Sequence, residues 1–392
     1  MYRSKKAIFL LVLLGVMDVS YGQDTPTIGD AESIVKHFSP VITAAPVLSI
    51  TPDARSAAMG GLGLTHSADA FALYHNVSML PRVRKTWGIA LSYTPWMPEM
   101  VKDMSVSYLA GFYSWRSDDL EYAVGSSFRY FHIGKALAFP RQSQEPMQIN
   151  PYELAADVGF GVAFGEHWSA GTAVRYVYSD YNYSLDGIKG ADGAMLVDLS
   201  GTYQTDLQLW DGKESKLRAA VALNNLGGKM TFDGGKSYLF TPATLRLGVG
   251  LESQLAEDHS LGLHLGLGKL MVPSYPALQD LSPDEQQQKL DKYNSQSAMG
   301  AFFSSMADAP GGMKEEWNEV EWGIGAEYNY LGEFWLRAGY HYQHPDKGTN
   351  SGLSLGAGLL YEMLRLDLSY FVAREVNTPL NHTFRIALSV EF

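Results

Sequence analysis

Thr383-Phe384-Arg385-Ile386-Ala387-Leu388-Ser389-Val390-Glu391-Phe392 sorts its side chains by parity. Phe384, Ile386, Leu388 and Val390 fall on one side, and Thr383, Arg385, Ala387, Ser389 and Glu391 on the other. This is the period of 2 of a strand with one apolar and one polar face. The same pattern returns in Leu261, Leu263, Leu265 and Leu267 against Gly262, His264, Gly266 and Gly268. It returns again in Trp322, Ile324, Ala326, Tyr328 and Tyr330 against Glu321, Gly323, Gly325, Glu327 and Asn329. Working outward from these stretches predicts fourteen strands, starting near Trp87, Asp103, Leu120, Tyr152, Trp168, Ala194, Leu217, Pro242, His259, Glu319, Glu333, Ser351, Met363 and Thr383. Most run about 10 to 13 residues, against the roughly 9 to 11 that carry a tilted strand across a bilayer. An even count suits a closed barrel.

A soluble sandwich also alternates, so the polar face has to speak for its surroundings. It carries Arg129, Glu153, Asp157, Arg175, Asp198, Arg246, Glu252, Glu327, Arg337, Arg365 and Asp367, mixed in sign and interleaved with Gly, as in a polar lumen. The other face is aliphatic in mid-strand and ends in aromatics such as Tyr122, Tyr130, Trp168, Tyr178, Trp322, Tyr342 and Tyr370, the pattern of interfacial girdles. Connection lengths agree: Gly165 to His167, Ala256 to Asp258, Gly332 and the junction at Glu362 and Met363 are short. The intervening connections include His132 to Pro151, Tyr181 to Gly193 and Met271 to Asn318. Short periplasmic turns and long extracellular loops produce this parity. Thr205 to Lys216 breaks it.

The chain has 392 residues, 30 Lys and Arg against 42 Asp and Glu, and no Cys. Without Cys there is no disulfide scaffold, thiolate metal site or thiol nucleophile. Residues 1–22 read as a cleaved signal peptide: Arg3, Lys5 and Lys6, the apolar run Ala7 to Val16, and small Ser20 and Gly22 before the cut. Its removal takes three basic residues and Asp18, leaving 27 basic against 41 acidic, a net charge of −14 that disfavours a nucleic-acid partner. The expected organisation is a signal peptide over 1–22, an N-terminal extension and plug over 23–86, and the outer-membrane barrel over 87–392.

Within the extension, Ala54 to Met59 predicts a short helix stopped by Gly60-Gly61. So small an Ala- and Gly-rich segment folds poorly alone, which points to a plug inside the barrel. Arg55 then needs an acidic lumen partner, with Asp157, Glu252 and Glu327 in view.

The stretch Arg55-Ser56-Ala57-Ala58-Met59-Gly60-Gly61, followed by Ala68-Asp69-Ala70 and Asn76, fourteen strands and the terminal Phe392, resembles the PorV family of the type IX secretion system, within the wider class of fatty-acid-transporter-like barrels. The resemblance spans the chain from about Val47 and places Arg55, Gly60, Gly61, Asp69 and Asn76 in the hatch. It implies a non-enzymatic surface role. The chain would receive cargo by its C-terminal signal domain at the translocon barrel and pass it to a sortase-bearing attachment complex, from a seat in outer-membrane lipid. The alternative is a transporter of hydrophobic small molecules such as long-chain fatty acids. That class tends to carry Asn-Pro-Ala in its hatch, where this chain has Asn76-Val77-Ser78.

Chemical motifs add no catalytic, cofactor or metal site. Gly352-Leu353-Ser354-Leu355-Gly356 matches a nucleophile elbow but sits inside an alternating strand, without the turn and helix the elbow needs. His341 and His344 lack the glutamate of a zincin helix. Glu319 and Glu321 form a carboxylate pair of the kind that lumens commonly carry. Apolar residues in the extracellular connections are more informative: Trp96, Met97 and Met100 in the first, and Tyr275, Phe302, Phe303 and Met306 in the longest. Exposed apolar loop surface marks a protein contact or ligand groove, and Met adapts to varied partners. These seven residues are the expected cargo or partner contacts, unless the loops fold inward and cork the barrel. In the longest loop, Ser282-Pro283-Asp284-Glu285 predicts a capped helix reaching about Tyr293.

Overall fold

Each alternating stretch pairs antiparallel with its neighbour, and the first pairs with the last, so the sheet closes into a barrel. The computed structural model describes residues 41–392 apart from 62, 99–100, 102, 139–146, 186–187, 210–211, 275, 277–280, 310, 349, 376–377 and 379. The expected signal peptide and residues 23–40 of the extension lie outside the described residues. The barrel strands are β1 (Trp87–Pro95), β2 (Ser105–Ser117), β3 (Leu120–His132), β4 (Tyr152–Phe164), β5 (Trp168–Leu185), β6 (Ile188–Leu209) and β7 (Lys213–Gly227). They continue as β8 (Thr244–Ala256), β9 (His259–Leu270), β10 (Val320–Tyr330), β11 (Phe334–Tyr342), β12 (Gly352–Tyr361), β13 (Leu364–Ala373) and β14 (Thr383–Glu391). At the seam Ile89 lies opposite Val390 and Leu91 opposite Leu388. Trp87 stacks on Phe392 there, with ring centroids 4.2 Å apart.

Twelve strands begin within two residues of the expected positions, and β6 and β7 do not. Both run on, β6 from Ile188 and β7 from Lys213, so the long connection expected at Thr205 to Lys216 shrinks to the step from Leu209 to Lys213. Tyr181 to Gly193, expected as a loop, is mostly hairpin, with a register shift between Asp180 and Ser184. Past the membrane both faces of a hairpin meet water, so backbone pairing continues while the hydrophobic alternation disappears. With this correction every even connection is short, and the short turns mark the periplasmic end.

The apolar parity faces out. Leu265 is 51% exposed and Leu353 60%. Trp115 stacks on Tyr122 at the periplasmic end, and Trp322 on Tyr342 at the extracellular end. The core lies inside, where residues 41–83 descend through the lumen. A 3₁₀ turn (Pro46–Ser49) packs Val47 and Leu48 against Val106, Phe131, Val177 and Leu196 near the extracellular mouth. Helix α1 (Ala54–Ala57) follows, capped by Asp53, whose side chain accepts from the Ser56 amide at 2.6 Å. Helix α2 (Ala72–His75) and a 3₁₀ turn (Val77–Arg82) pack Phe71, Leu73 and Leu80 against Ala90, Tyr108 and Phe112. The segment leaves at the periplasmic end, where Arg82 donates to the carbonyls of Gly165 and Trp168.

Candidate functional site: the latched plug and the extracellular loop face

Glycine on the inward faces of the strands is what lets the plug approach. An added Cβ at Gly339 would stand 2.4 Å from the Gly60 amide nitrogen and 2.5 Å from the Met59 carbonyl carbon; one at Gly171 would stand 2.5 Å from the Ser78 nitrogen. Gly171, Gly325 and Gly339 are therefore seats for plug backbone. Gly60 itself has φ of 78°, a left-handed conformation that ends the turn after α1. Its amide donates to Ser354 Oγ at 3.3 Å and its carbonyl pairs with His341 Nδ1 at 3.2 Å. Ser354 of the apparent nucleophile elbow is thus a lumen contact of the plug. Gly339→Ala should weaken the seat by about 1–3 kcal/mol through overpacking. Gly268→Ala, whose new carbon meets nothing nearer than 3.9 Å, should be close to neutral. Thermal unfolding of the two variants in detergent checks the contrast.

Arg55 is the latch. It is 3% exposed, and its Nε and Nη2 donate to Glu327 at 2.9 and 2.7 Å, a bidentate pair. Nη1 donates to the Ser67 carbonyl at 2.9 Å and to Asp69 at 3.4 Å. Glu327 also accepts from Arg337 Nε at 2.6 Å, and Asp367 ties Arg337 to Arg365 at 2.7 and 2.8 Å. Of the other acids in view, Asp157 is taken by Arg129 and Arg175, and Glu252 lies 2.8 Å from Arg218. Arg175 continues to Asp198 at 2.8 Å, so a second chain of ion pairs climbs from β3 to β6. Apart from Asp69, Arg365 and Glu252, whose side chains keep some exposure, these charges are buried, and all are partnered.

Asn76 is fully engaged: Nδ2 donates to the Leu64 carbonyl at 2.8 Å and to Thr202 Oγ1 at 2.9 Å, and Oδ1 accepts from Ser78 Oγ at 2.6 Å. Gly61, also at φ 78°, donates to the Ser56 carbonyl at 2.9 Å. Arg55, Gly60, Gly61, Asp69 and Asn76 thus all lie in the segment inside the barrel, and Arg55, Gly60 and Asn76 touch its wall. Below them a cavity of about 1230 Å³ opens among the periplasmic ends of the strands, lined in part by Glu121, Arg218, Glu252, Glu327 and Trp335.

The loop residues divide. Trp96 is half-buried, packed on the upper core with Arg385 5.7 Å from its ring centroid, and Met97 is half-buried beside it with φ of 49°. Met100 and Tyr275 lie outside the described residues. In the longest loop, helix α3 (Pro283–Ser295) starts with the expected capping box at Ser282 and Glu285. Helix α4 (Ala298–Ser304) sinks Phe302 into a cluster with Phe240, Met271 and Tyr293, and turns Phe303 out at 62% exposure, beside exposed Met299 and Met306. Helix α5 (Met313–Asn318) exposes Met313 and Trp317, whose i, i+4 spacing makes one helical face. Its acids face the protein instead: Lys269 Nζ donates to Glu316 at 2.8 Å and Glu319 at 2.5 Å, and Lys347 to Glu315 at 2.6 Å. Burial works against the charge on Lys347, but Glu315 and Glu319 outweigh it and hold the ammonium above the usual lysine range. Burial likewise opposes ionisation of Glu316, yet Lys269 and the Ala309 amide hold its carboxyl below the usual range. The carboxylate pair noted in the sequence is separated: Glu319 lies against these lysines, while Glu321 accepts from Gln343.

The family model described as type IX secretion system protein PorV matches residues 35–277. No curated protein sequence matches the chain significantly. Among solved structures, the Pseudomonas putida toluene transporter TodX is 14% identical, with a TM-score of 0.47 over 86% of this chain and 96% of that one. The Ralstonia pickettii toluene transporter TbuX is also 14% identical, with a TM-score of 0.44 over 86% and 97%. A Pseudomonas aeruginosa FadL homologue is 10% identical, with a TM-score of 0.41 over 90% and 100%.

Proposed function

The chain belongs to the PorV family of type IX secretion system proteins, and from that premise we propose that it is a non-enzymatic receptor and shuttle subunit of the outer-membrane machine. It takes cargo by the C-terminal signal domain at the translocon and hands it to the sortase-bearing attachment complex. The observation that carries the reading is the division of labour between lumen and loops. A conduit for hydrophobic solutes needs a continuous apolar path, and here the plug occupies the lumen, tied to β10 by the buried Arg55–Glu327 ion pair, while further buried ion pairs line the wall around it. The extracellular face instead presents Met299 and Phe303 from a helix whose other side is anchored, and Met306 from the turn after it. An apolar patch on a rigid base is suited to bind protein.

Changing Met299, Phe303 and Met306 together to Ser tests this. All three are exposed and outside the strands, so the barrel should insert normally. Truncating a contact hot spot costs about 2 kcal/mol or more, so the variant should retain cargo in the periplasm or lose its partners in a pull-down, with uptake of hydrophobic compounds unchanged. Normal export with lost uptake would overturn the reading in favour of a transporter. Phe302→Ser is the wrong probe, because that ring is buried under the loop and its loss would unfold the helix.

A further inference from the structure

Helix α5 is built the wrong way round for a helix in water. Its Glu316 is 6% exposed and the following Glu319 7%, while Met313 and Trp317 are 78% and 74% exposed. Two lysines and the Ala309 amide hold the acidic face down, the amide donating to Glu316 Oε1 at 2.7 Å. A surface helix normally does the opposite.

The position of one anchor says what lies on the other side. Lys269 has the parity of Leu263, Leu265 and Leu267, all exposed on the outer wall, and it stands opposite Val320 where β10 begins. A helix that clamps Lys269 therefore sits on the lipid side of the rim and not over the mouth. Next to it, Trp322 stands opposite Leu267 and packs on Tyr340 and Tyr342 at 5.7 and 5.3 Å, an aromatic group at the extracellular interface.

We propose that α5 is a membrane-interface element that seats Met313 and Trp317 in the outer leaflet, so that its partner is a lipid surface. The two lysines neutralise the acids that would otherwise keep a short Glu-rich helix in water, and the aromatic girdle is extended beyond the last residue of β9. Trp is the residue best suited to that depth, with an apolar body and one donor for the headgroup layer.

The absence of cysteine makes the test clean. Single variants Met313→Cys, Trp317→Cys, Leu265→Cys and Gln288→Cys carry a nitroxide, and the full chain is placed in vesicles of phosphatidylethanolamine and phosphatidylglycerol. Collision of each label with oxygen, which concentrates in lipid, is compared with collision with a water-soluble nickel chelate. Labels at 313 and 317 should give an oxygen-to-nickel ratio at least about twofold above that at 288 and displaced toward that at 265, as for an apolar face buried in the headgroup boundary. Ratios equal to that at 288 would overturn the proposal and leave α5 as a protein-docking face. Should the 317 variant fail to insert, the 313 label decides alone. Adding Lys269→Gln to Met313→Cys should release the helix and return the ratio toward the aqueous control; no change would equally count against it.

Discussion

Glu327→Gln should loosen the plug by about 3–5 kcal/mol, the usual consequence of leaving a buried charge without its partner. Glu327 takes two guanidinium groups at once, and without its charge Arg55 keeps Asp69 at 3.4 Å while Arg337 keeps Asp367. Arg55→Met should cost less, because Glu327 retains Arg337 at 2.6 Å. The double variant should be less damaged than the two single effects summed, since the second change removes a charge that the first has already orphaned. Protease cleavage within residues 41–83 and ion conductance in planar bilayers report the release. Additive effects, or a plug as resistant as in the parent, would show that the ion pair does not hold it.

Leu265→Arg should destabilise the inserted barrel by about 2–4 kcal/mol, the depth-dependent penalty for a cation facing lipid at mid-membrane. Leu265 is 51% exposed at the middle of β9, opposite Val249 and Ile324, with no acidic neighbour on that face. Leu265→Val keeps the face apolar and should lose only a small part of this. Denaturant unfolding from lipid vesicles, together with the fraction migrating as the compact form on unheated gels, measures both. Equal tolerance of Arg and Val would mean that this side of the strand does not meet lipid.

Much of the architecture was legible because the membrane writes it locally. Lipid on one side of each strand forces an apolar residue at every second position, and this is readable from ten residues at a time. Alternation marks the barrel strands everywhere but at the starts of β6 and β7, where the strands leave the membrane and neither face is forced to be apolar. Loop helices were legible where local chemistry starts them, as at Ser282, Pro283 and Glu285. Helix α5 escaped notice because its anchors, Lys269 and Lys347, lie far from it in sequence on β9 and in the connection between β11 and β12.

By itself, then, the sequence determined a closed fourteen-stranded barrel with a segment too small to stand alone and an arginine in need of an acid. Which acid was a tertiary matter: Arg55 and Glu327 are 272 residues apart, and no local rule separates Glu327 from Asp157 or Glu252 as partner. The structure also decided that inward glycines such as Gly171, Gly325 and Gly339 seat a backbone, and that Phe302 faces in while Phe303 faces out. Parity is imposed on every residue by its own strand, whereas a pairing or a seat exists only once the barrel has closed around the plug and brought distant segments within reach of one another.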